Sequence, residues 1–255
     1  MMAKPLNHKV AIITGAGSGI GEEMSKLFSA EGASVVVVDI IPERVEKTVS
    51  SIRSKNGTVY GMTLDLSKSE DVEKMVADTV KIFGHLDILC NNAGIMDGFY
   101  SLEETSEEWW DRVMNVNLRA QYLSSKHAVA HMLNNGGGVI LNTASIAGLR
   151  GGRAGLAYTV SKHALIGLTK HIASFYGDRG IRSNAMALGA VNTNIGYGAK
   201  APSHVGIKVL ERTKSTMLRP AEPREIARIA LFMVSKDSSY INGEVLVADN
   251  GWTVF

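Results

Sequence analysis

Val10-Ala11-Ile12-Ile13-Thr14-Gly15-Ala16-Gly17-Ser18-Gly19-Ile20-Gly21 decides how this chain folds. Its first five residues read as a buried strand, the glycines as a tight turn, and Glu22 to Glu31 as the helix that follows. Glycine lets a backbone approach other groups closely, and a helix N-terminus carries partial positive charge. The order strand, turn and helix therefore makes an anion cradle suited to a pyrophosphate. Glycines alone are also compatible with an ordinary tight βα turn.

Further apolar runs follow: Ser34 to Asp39, Thr58 to Thr63, Leu86 to Asn91, Gly138 to Thr143, Ile181 to Ala187 and Glu244 to Val247, with helical stretches between them. Runs such as Val35-Val36-Val37-Val38 lack period-two alternation, as strands covered on both faces do. Alternating β and α elements with doubly buried strands predict an α/β fold, a doubly wound parallel sheet with helices on both faces. A ligand site on such a sheet lies beyond the C-terminal ends of the strands. Asp39 ends the second strand about 20 residues past the turn, where a carboxylate accepts hydrogen bonds from an adenosine ribose. It is also placed to cap the helix starting near Pro42. Asp65 has two readings as well, a helix-capping carboxylate near Ser67 or a contact to an adenine amine.

The 255 residues are 45% hydrophobic and 20% charged, enough for a large core and unlike a disordered chain. No repeat or charged linker divides them, so one domain over 1–255 is expected. The 27 basic and 25 acidic residues are well mixed and leave a net charge of +2, which gives no electrostatic footprint for nucleic acid or an anionic membrane. No apolar stretch reaches the ~20 residues of a membrane span. The lone Cys90 cannot form an internal disulfide, and no signal-like segment opens the sequence, which together predict a cytoplasmic protein. From Gly189 to Met217, Gly, Asn, Ser, Thr and Lys displace the strand pattern, and a functional loop is expected there.

The glycine spacing, Thr14-Gly15-x-x-x-Gly19-x-Gly21, resembles the short-chain dehydrogenase/reductase family. The resemblance extends through Asp65-Leu66, Asn91-Asn92-Ala93-Gly94, Asn117, Ser145, Tyr158-Thr159-Val160-Ser161-Lys162 and Asp249-Asn250-Gly251. Two positions depart from it: Leu188 stands where proline is usual, and Asn250 replaces a common glycine. The resemblance implies a Rossmann fold and a cofactor site made of Gly15, Ser18, Gly19, Ile20, Gly21, Asp39, Asp65, Leu66, Asn92, Ala93, Gly94, Tyr158, Lys162, Val191 and Thr193. Val191 and Thr193 would meet the nicotinamide side. It also implies a homotetramer built through helices around Asn117 to Leu133 and Tyr158 to Tyr176.

Tyr158 and Lys162 are four apart, so a helix makes them neighbours on one face. Such a pair is by itself commonly a surface feature. An ammonium at 4 Å in an effective dielectric of 20 is nevertheless worth about 4 kcal/mol, or roughly 3 pKa units of a phenol. By the family resemblance, Ser145 orients and polarises a carbonyl and Tyr158 transfers the proton. Lys162 lowers the Tyr158 pKa and holds ribose hydroxyls, and Asn117 holds a water in the proton relay. Asn117 also reads as a helix-kink amide.

The expected activity is hydride transfer between NAD(H) and a small-molecule carbonyl or secondary alcohol. NAD(H) is expected over NADP(H), because Asp39 would face a 2′-phosphate as a like charge. Ile40, Ile41 and Pro42 follow it, Arg44 is the first cation, and Ala16 to Ile20 hold none. A non-catalytic nucleotide-sensing protein would not need Ser145, Tyr158 and Lys162 together, and a methyltransferase would not need the pyrophosphate turn. His127 and His131 have zinc-compatible spacing but no third ligand in sight, and no metal site is expected. Ser161 beside Lys162 lacks the strand-to-helix elbow of a hydrolase. The substrate stays open among ketoacyl thioesters, sugars and alcohols, since it depends on Met96, Ala147, Leu149 to Gly155 and the 189–217 segment.

Overall fold

The computed structural model describes residues 4–195 and 202–254. Seven strands, β1 (Val10–Thr14), β2 (Ser34–Asp39), β3 (Val59–Thr63), β4 (Ile88–Asn91), β5 (Gly138–Thr143), β6 (Ile181–Leu188) and β7 (Val245–Ala248), form one sheet. Its order is β3-β2-β1-β4-β5-β6-β7, and every neighbouring pair is parallel. The order reverses direction between β1 and β4, which opens a crevice at their C-terminal ends.

The missing period-two pattern has a direct cause, because successive strand residues enter two separate cores. Ala11, Ile13, Val35 and Val37 meet Met24 and Phe28 of α1 (Gly19–Ala30) and Ile226, Ala230 and Met233 of α8 (Pro223–Val234). Ile12, Val36 and Val38 point the other way, into Val72, Met75 and Val76 of α3 (Ser69–Phe83) and Ala128 and Met132 of α5 (Ala120–Asn134). At roughly 1.5–3 kcal/mol per fully buried aliphatic side chain, the two cores together drive the layered arrangement.

Strand limits match the sequence reading to within two residues, but α1 starts at Gly19 rather than Glu22. The last glycines of the turn already belong to the helix. Gly15 needs its positive φ of 63°, and a Cβ there would lie 2.9 Å from Ala93 Cα. Gly21 sits against the Gly15 carbonyl with no room for any side chain. Of the two departures, Asn250 takes a φ of 54°, a left-handed conformation that asparagine tolerates, and Leu188 is buried at the end of β6.

The expectation of a loop from Gly189 to Met217 is corrected in part. Val191 bridges Ala221 in parallel, and α7 spans His204–Lys214. Ser203 caps α7, its hydroxyl accepting from Gly206 N at 3.0 Å. Residues 196–201 lie outside the described residues. Among the described residues no helix is long and apolar enough to cross a membrane.

Candidate active site

The crevice between β1 and β4 opens into a cleft of about 1520 Å³. Ligand pockets commonly run to 300–1,000 Å³, so this one has room for an extended ligand and a second molecule beside it. Gly15, Ser18, Gly19, Ile20, Asp39, Asp65, Leu66, Asn92, Ala93, Gly94, Ser145, Tyr158, Lys162, Val191 and Thr193 all line it. Of the candidate cofactor and catalytic residues, Gly21 and Asn117 stand behind the wall, and of the residues expected to shape the substrate pocket Met96 and Arg153 line it while Ala147 and the rest of Leu149 to Gly155 do not. Gly21 supports the turn. Asn117 is fully buried in a π-helical turn, Asn115–Arg119, and clamps the loop after β4. Its Oδ1 accepts from Ile95 N at 2.8 Å and its Nδ2 donates to Ile95 O at 2.9 Å.

Asp39 is not the cap of α2 (Pro42–Arg53), whose first turn starts after Ile41. Its Oδ2 accepts from Gly17 N at 3.0 Å and its Oδ1 from Ile41 N at 3.1 Å. The carboxylate therefore ties the glycine turn to the end of β2 while lining the cleft. The expectation that no basic residue adjoins Asp39 is corrected. A Cβ on Gly17 would meet Arg44 Cβ at 2.6 Å and Asp39 Cγ at 2.9 Å, so the first turn of α2 brings Arg44 back beside Asp39, where it also lines the cleft. Asp65 accepts from Ser67 N at 3.0 Å and Ser67 Oγ at 2.7 Å, closing the turn that leads to α3.

The floor of the cleft is a polar network between strand ends. Thr14 Oγ1 accepts from Asn92 N at 2.9 Å and Ala93 N at 3.0 Å, while Asn92 Nδ2 donates to Thr14 O at 3.0 Å. Asn91 Nδ2 donates to Asn142 Oδ1 at 2.9 Å, and Asn142 Nδ2 to Thr169 Oγ1 at 2.9 Å. These bonds hold β1, β4 and β5 in one register with α6 (Leu156–Tyr176). Gln121, which carries no sequence signal, fixes Ala93 O at 2.7 Å.

Tyr158 and Lys162 project from the first two turns of α6. Lys162 Nζ donates to Thr143 O at 2.7 Å and lies 5.4 Å from the Tyr158 ring centroid. Ser145 caps the single 3₁₀ turn after β5 by accepting from Ala147 N at 3.1 Å, and its hydroxyl reaches Leu188 O at 3.4 Å. Burial pushes the Tyr158 phenol up to about 12, against the lowering effect of its hydrogen bond with Ser145 and with the reinforcement of Asp97. Burial also brings Lys162 down to about 8. Burial thus moves the phenol up and the ammonium down, each in the direction that disfavours its charged form.

Cys90 is buried, and burial pushes its thiol up, so it is an inert core residue. Trp109 packs with Val113 and Ala157, and its Nε1 donates to Asp97 O at 3.2 Å. Among the described residues no three His, Cys, Asp or Glu side chains gather as a metal site would require. α7 contributes Leu210 and Lys214 to the same cleft. Its last turn is pinned at Thr213 O, which accepts from Trp252 Nε1 at 2.6 Å and Arg153 Nη1 at 3.2 Å.

A family model described as enoyl-(acyl carrier protein) reductase matches residues 15–253. A 3beta-hydroxysteroid dehydrogenase 2 of Eggerthella lenta is 40% identical over 248 residues, 97% of this chain and 95% of that protein. A cyclohexanol dehydrogenase of an Acinetobacter species is 38% identical over 257 residues, covering 99% of this chain and 98% of the relative. Among solved structures, levodione reductase superposes with a TM-score of 0.89 at 32% identity, covering 98% of this chain and 99% of that one. With the glycine turn, the β4 loop and the Ser145, Tyr158 and Lys162 cluster in one cleft, the chain belongs to the short-chain dehydrogenase/reductase family of oxidoreductases.

Proposed function

We propose that this protein moves a hydride between NAD(H) and a small-molecule carbonyl or secondary alcohol, with Tyr158 as the proton donor and acceptor. The observation that carries the reading is the single cleft that joins the glycine turn to Ser145, Tyr158 and Lys162.

The residues present fit a nicotinamide dinucleotide. A Cβ on Gly15 or Gly17 would collide with surrounding atoms, which leaves a backbone cradle at the N-terminus of α1 for a pyrophosphate. Gly15, Ser18, Gly19 and Ile20 would hold the phosphates, with Gly21 giving α1 its close seat. Asp39 would take the adenosine ribose, and Asp65 and Leu66 the adenine. Asn92, Ala93 and Gly94 would flank the second ribose, where Lys162 would bind the hydroxyls, and Val191 and Thr193 would meet the nicotinamide. When bound, the cofactor supplies the hydride or accepts it.

The chain's own residues then manage the substrate oxygen. Ser145 Oγ hydrogen-bonds that oxygen and orients it toward Tyr158. In carbonyl reduction the buried phenol of Tyr158, protonated at neutral pH, donates its proton as charge builds on the oxygen. In alcohol oxidation the tyrosinate takes the hydroxyl proton. Lys162, brought down to about 8, exchanges protons near neutrality and places positive charge beside the phenol. Asn117 holds the loop after β4 in place and, by family likeness, a relay water.

This reading treats the whole chain as one cofactor-binding and catalytic domain, with 189–217 as the substrate segment. It extends to a cytoplasmic homotetramer, for which Tyr122 on α5 and Phe175 on α6 offer exposed aromatic surface. The cyclohexanol dehydrogenase relative and a meso-2,3-butanediol dehydrogenase of Serratia marcescens favour a small alcohol or ketone as substrate. NAD-linked oxidation and NADH-linked reduction over a panel of alcohols, sugars, ketones and acyl thioesters test the proposal. Turnover with at least one member is expected. Binding of NADH without turnover of any would favour a nucleotide-sensing protein.

A further inference from the structure

Asp97 lies in the loop after β4, is 1% exposed, and spends its whole carboxylate on backbone donors. Oδ2 accepts from Tyr158 N at 2.8 Å, and Oδ1 from Gly155 N at 3.1 Å and Phe99 N at 3.2 Å. The residue before α6 is Gly155, which has no side chain with which to cap the helix. Asp97 therefore does from another element what a capping side chain does from within a helix: it satisfies the N–H of Gly155, the N-cap, and that of Tyr158, the third residue of α6. The fit excludes alternatives, since a Cβ at Gly155 would stand 2.6 Å from Asp97 Oδ1.

The same loop reaches in three directions. Trp109 of α4 (Glu107–Met114) donates to Asp97 O, and Gly98 O accepts from Ser203 N at 2.9 Å, immediately before α7. The wall carrying Tyr158 and the α7 segment are thus fixed to one short loop. Among the described residues, the three donors bonded to the Asp97 carboxylate are backbone N–H groups. The anion is the form that this nest fits, and the positive end of α6 favours it.

We propose that Asp97 is the positioning residue of Tyr158, holding the first turn of α6 from outside and placing a fixed negative charge beneath the phenol that opposes the ammonium of Lys162. The inference rests on the hydride-transfer reading. Other charged groups among the described residues line the cleft that Tyr158 also lines. Lys162 is on its own helix and Arg153 precedes it, Glu108, Asp111 and Arg112 come from α4, and Lys214 comes from α7. Asp97 stands outside the lining of the cleft, and its carboxylate accepts from the Tyr158 backbone N–H. Burial raises the Asp97 pKa while the N–H bonds from Tyr158, Phe99 and Gly155 work against that rise, and the charge in turn pushes the phenol up.

Two variants test it. Asp97→Asn removes the charge and turns one accepting atom into a donor facing an N–H group. Gly155→Ala crowds the carboxylate together with the Tyr100 backbone N and leaves the charge. Ultraviolet difference titration of each variant against the same variant carrying Tyr158→Phe reads the phenol directly. We expect Asp97→Asn to lower that midpoint, the direction in which a phenol moves when a nearby negative charge is removed. Gly155→Ala should leave the midpoint in place. Both should lower the pH-independent kcat at least about tenfold with NADH affinity retained, since misplacing a proton donor costs rate and not cofactor binding. An unmoved midpoint in Asp97→Asn, or full kcat in either variant, overturns the proposal. If Asp97→Asn fails to fold, the kcat of Gly155→Ala decides alone. The titration needs no turnover, so its result is separate from any failure of the hydride-transfer reading.

Discussion

The Lys162 ammonium lies 5.4 Å from the Tyr158 ring centroid and gives a hydrogen bond of 2.7 Å to Thr143 O, the last residue of β5. Helical spacing makes the two side chains neighbours, and the strand end fixes the direction in which the lysine reaches. The ammonium is thereby held under the cleft, where it can serve both the phenol and a ligand's hydroxyls. Burial sets the starting condition: a phenol that keeps its proton and a lysine that gives its proton up more readily than usual.

The first prediction concerns pH. In the proposed mechanism alcohol oxidation uses tyrosinate, and burial pushes the phenol up to about 12. Below that value each pH unit multiplies the tyrosinate fraction, so kcat/KM for oxidation should rise by up to about tenfold per unit through the neutral range. Carbonyl reduction uses the protonated phenol and should stay flat or fall over the same range. Rate profiles in both directions check this, and an oxidation rate that declines from pH 6 to pH 9 would contradict it.

Lys162 should also leave a mark on stability. Its native pKa of about 8 lies below the ordinary 10.5, so the unfolded state binds more protons between those values. Below pH 8 the native state bears the full cost of the buried charge, and as pH rises toward 10.5 that cost disappears. Compared with Lys162→Met, the wild type should therefore gain about 3 kcal/mol on going from pH 7 to pH 10.5. Denaturant unfolding of both proteins at the two pH values measures it, and parallel pH dependences would remove the assignment.

The parts legible in the sequence share one property: their chemistry depends on residue type at short range. Strand, glycine turn and helix follow one another without a gap from Val10 to Ala30, so order alone identified them. Ser145, Tyr158 and Lys162 were readable through family spacing. Asp97 was not, because its partners are backbone N–H groups, which carry no residue identity. Arg44 was passed over because distance along the chain hid the helical turn that returns it to Asp39. α7 was concealed for a third reason. Its apolar residues Val205, Ile207, Val209 and Leu210 are few, none of its eleven residues is buried, and it lies within the polar 189–217 segment.

Cofactor choice follows from Asp39 and Arg44 together. Asp39 should favour NAD(H), since a 2′-phosphate beside its carboxylate meets a like charge, and ~2.8 kcal/mol of repulsion is already about a hundredfold preference. Asp39→Ala should narrow the ratio of kcat/KM values, and Arg44 beside the vacated position should then support NADP(H). Adding Arg44→Ala should take that gain away. A wild type that prefers NADP(H), or a ratio untouched by Asp39→Ala, would place the discrimination elsewhere.

The α7 segment provides a fourth test. Leu210 and Lys214 line the cleft, while Thr213 O is held by Arg153 and Trp252. Amide hydrogen exchange over His204–Lys214 should slow when NADH and a product or inhibitor bind together. Equal exchange with and without ligands would make the helix a fixed wall and not a closing element.

The central claim is that Tyr158 transfers the proton in a nicotinamide-linked hydride reaction, and Tyr158→Phe tests it most directly. The substitution keeps the ring in its place on α6 and removes the transferable proton. With a substrate identified for the wild type, kcat should fall by about 10²- to 10⁴-fold while NADH affinity stays within about twofold. Retention of more than about a tenth of the wild-type kcat would contradict the account.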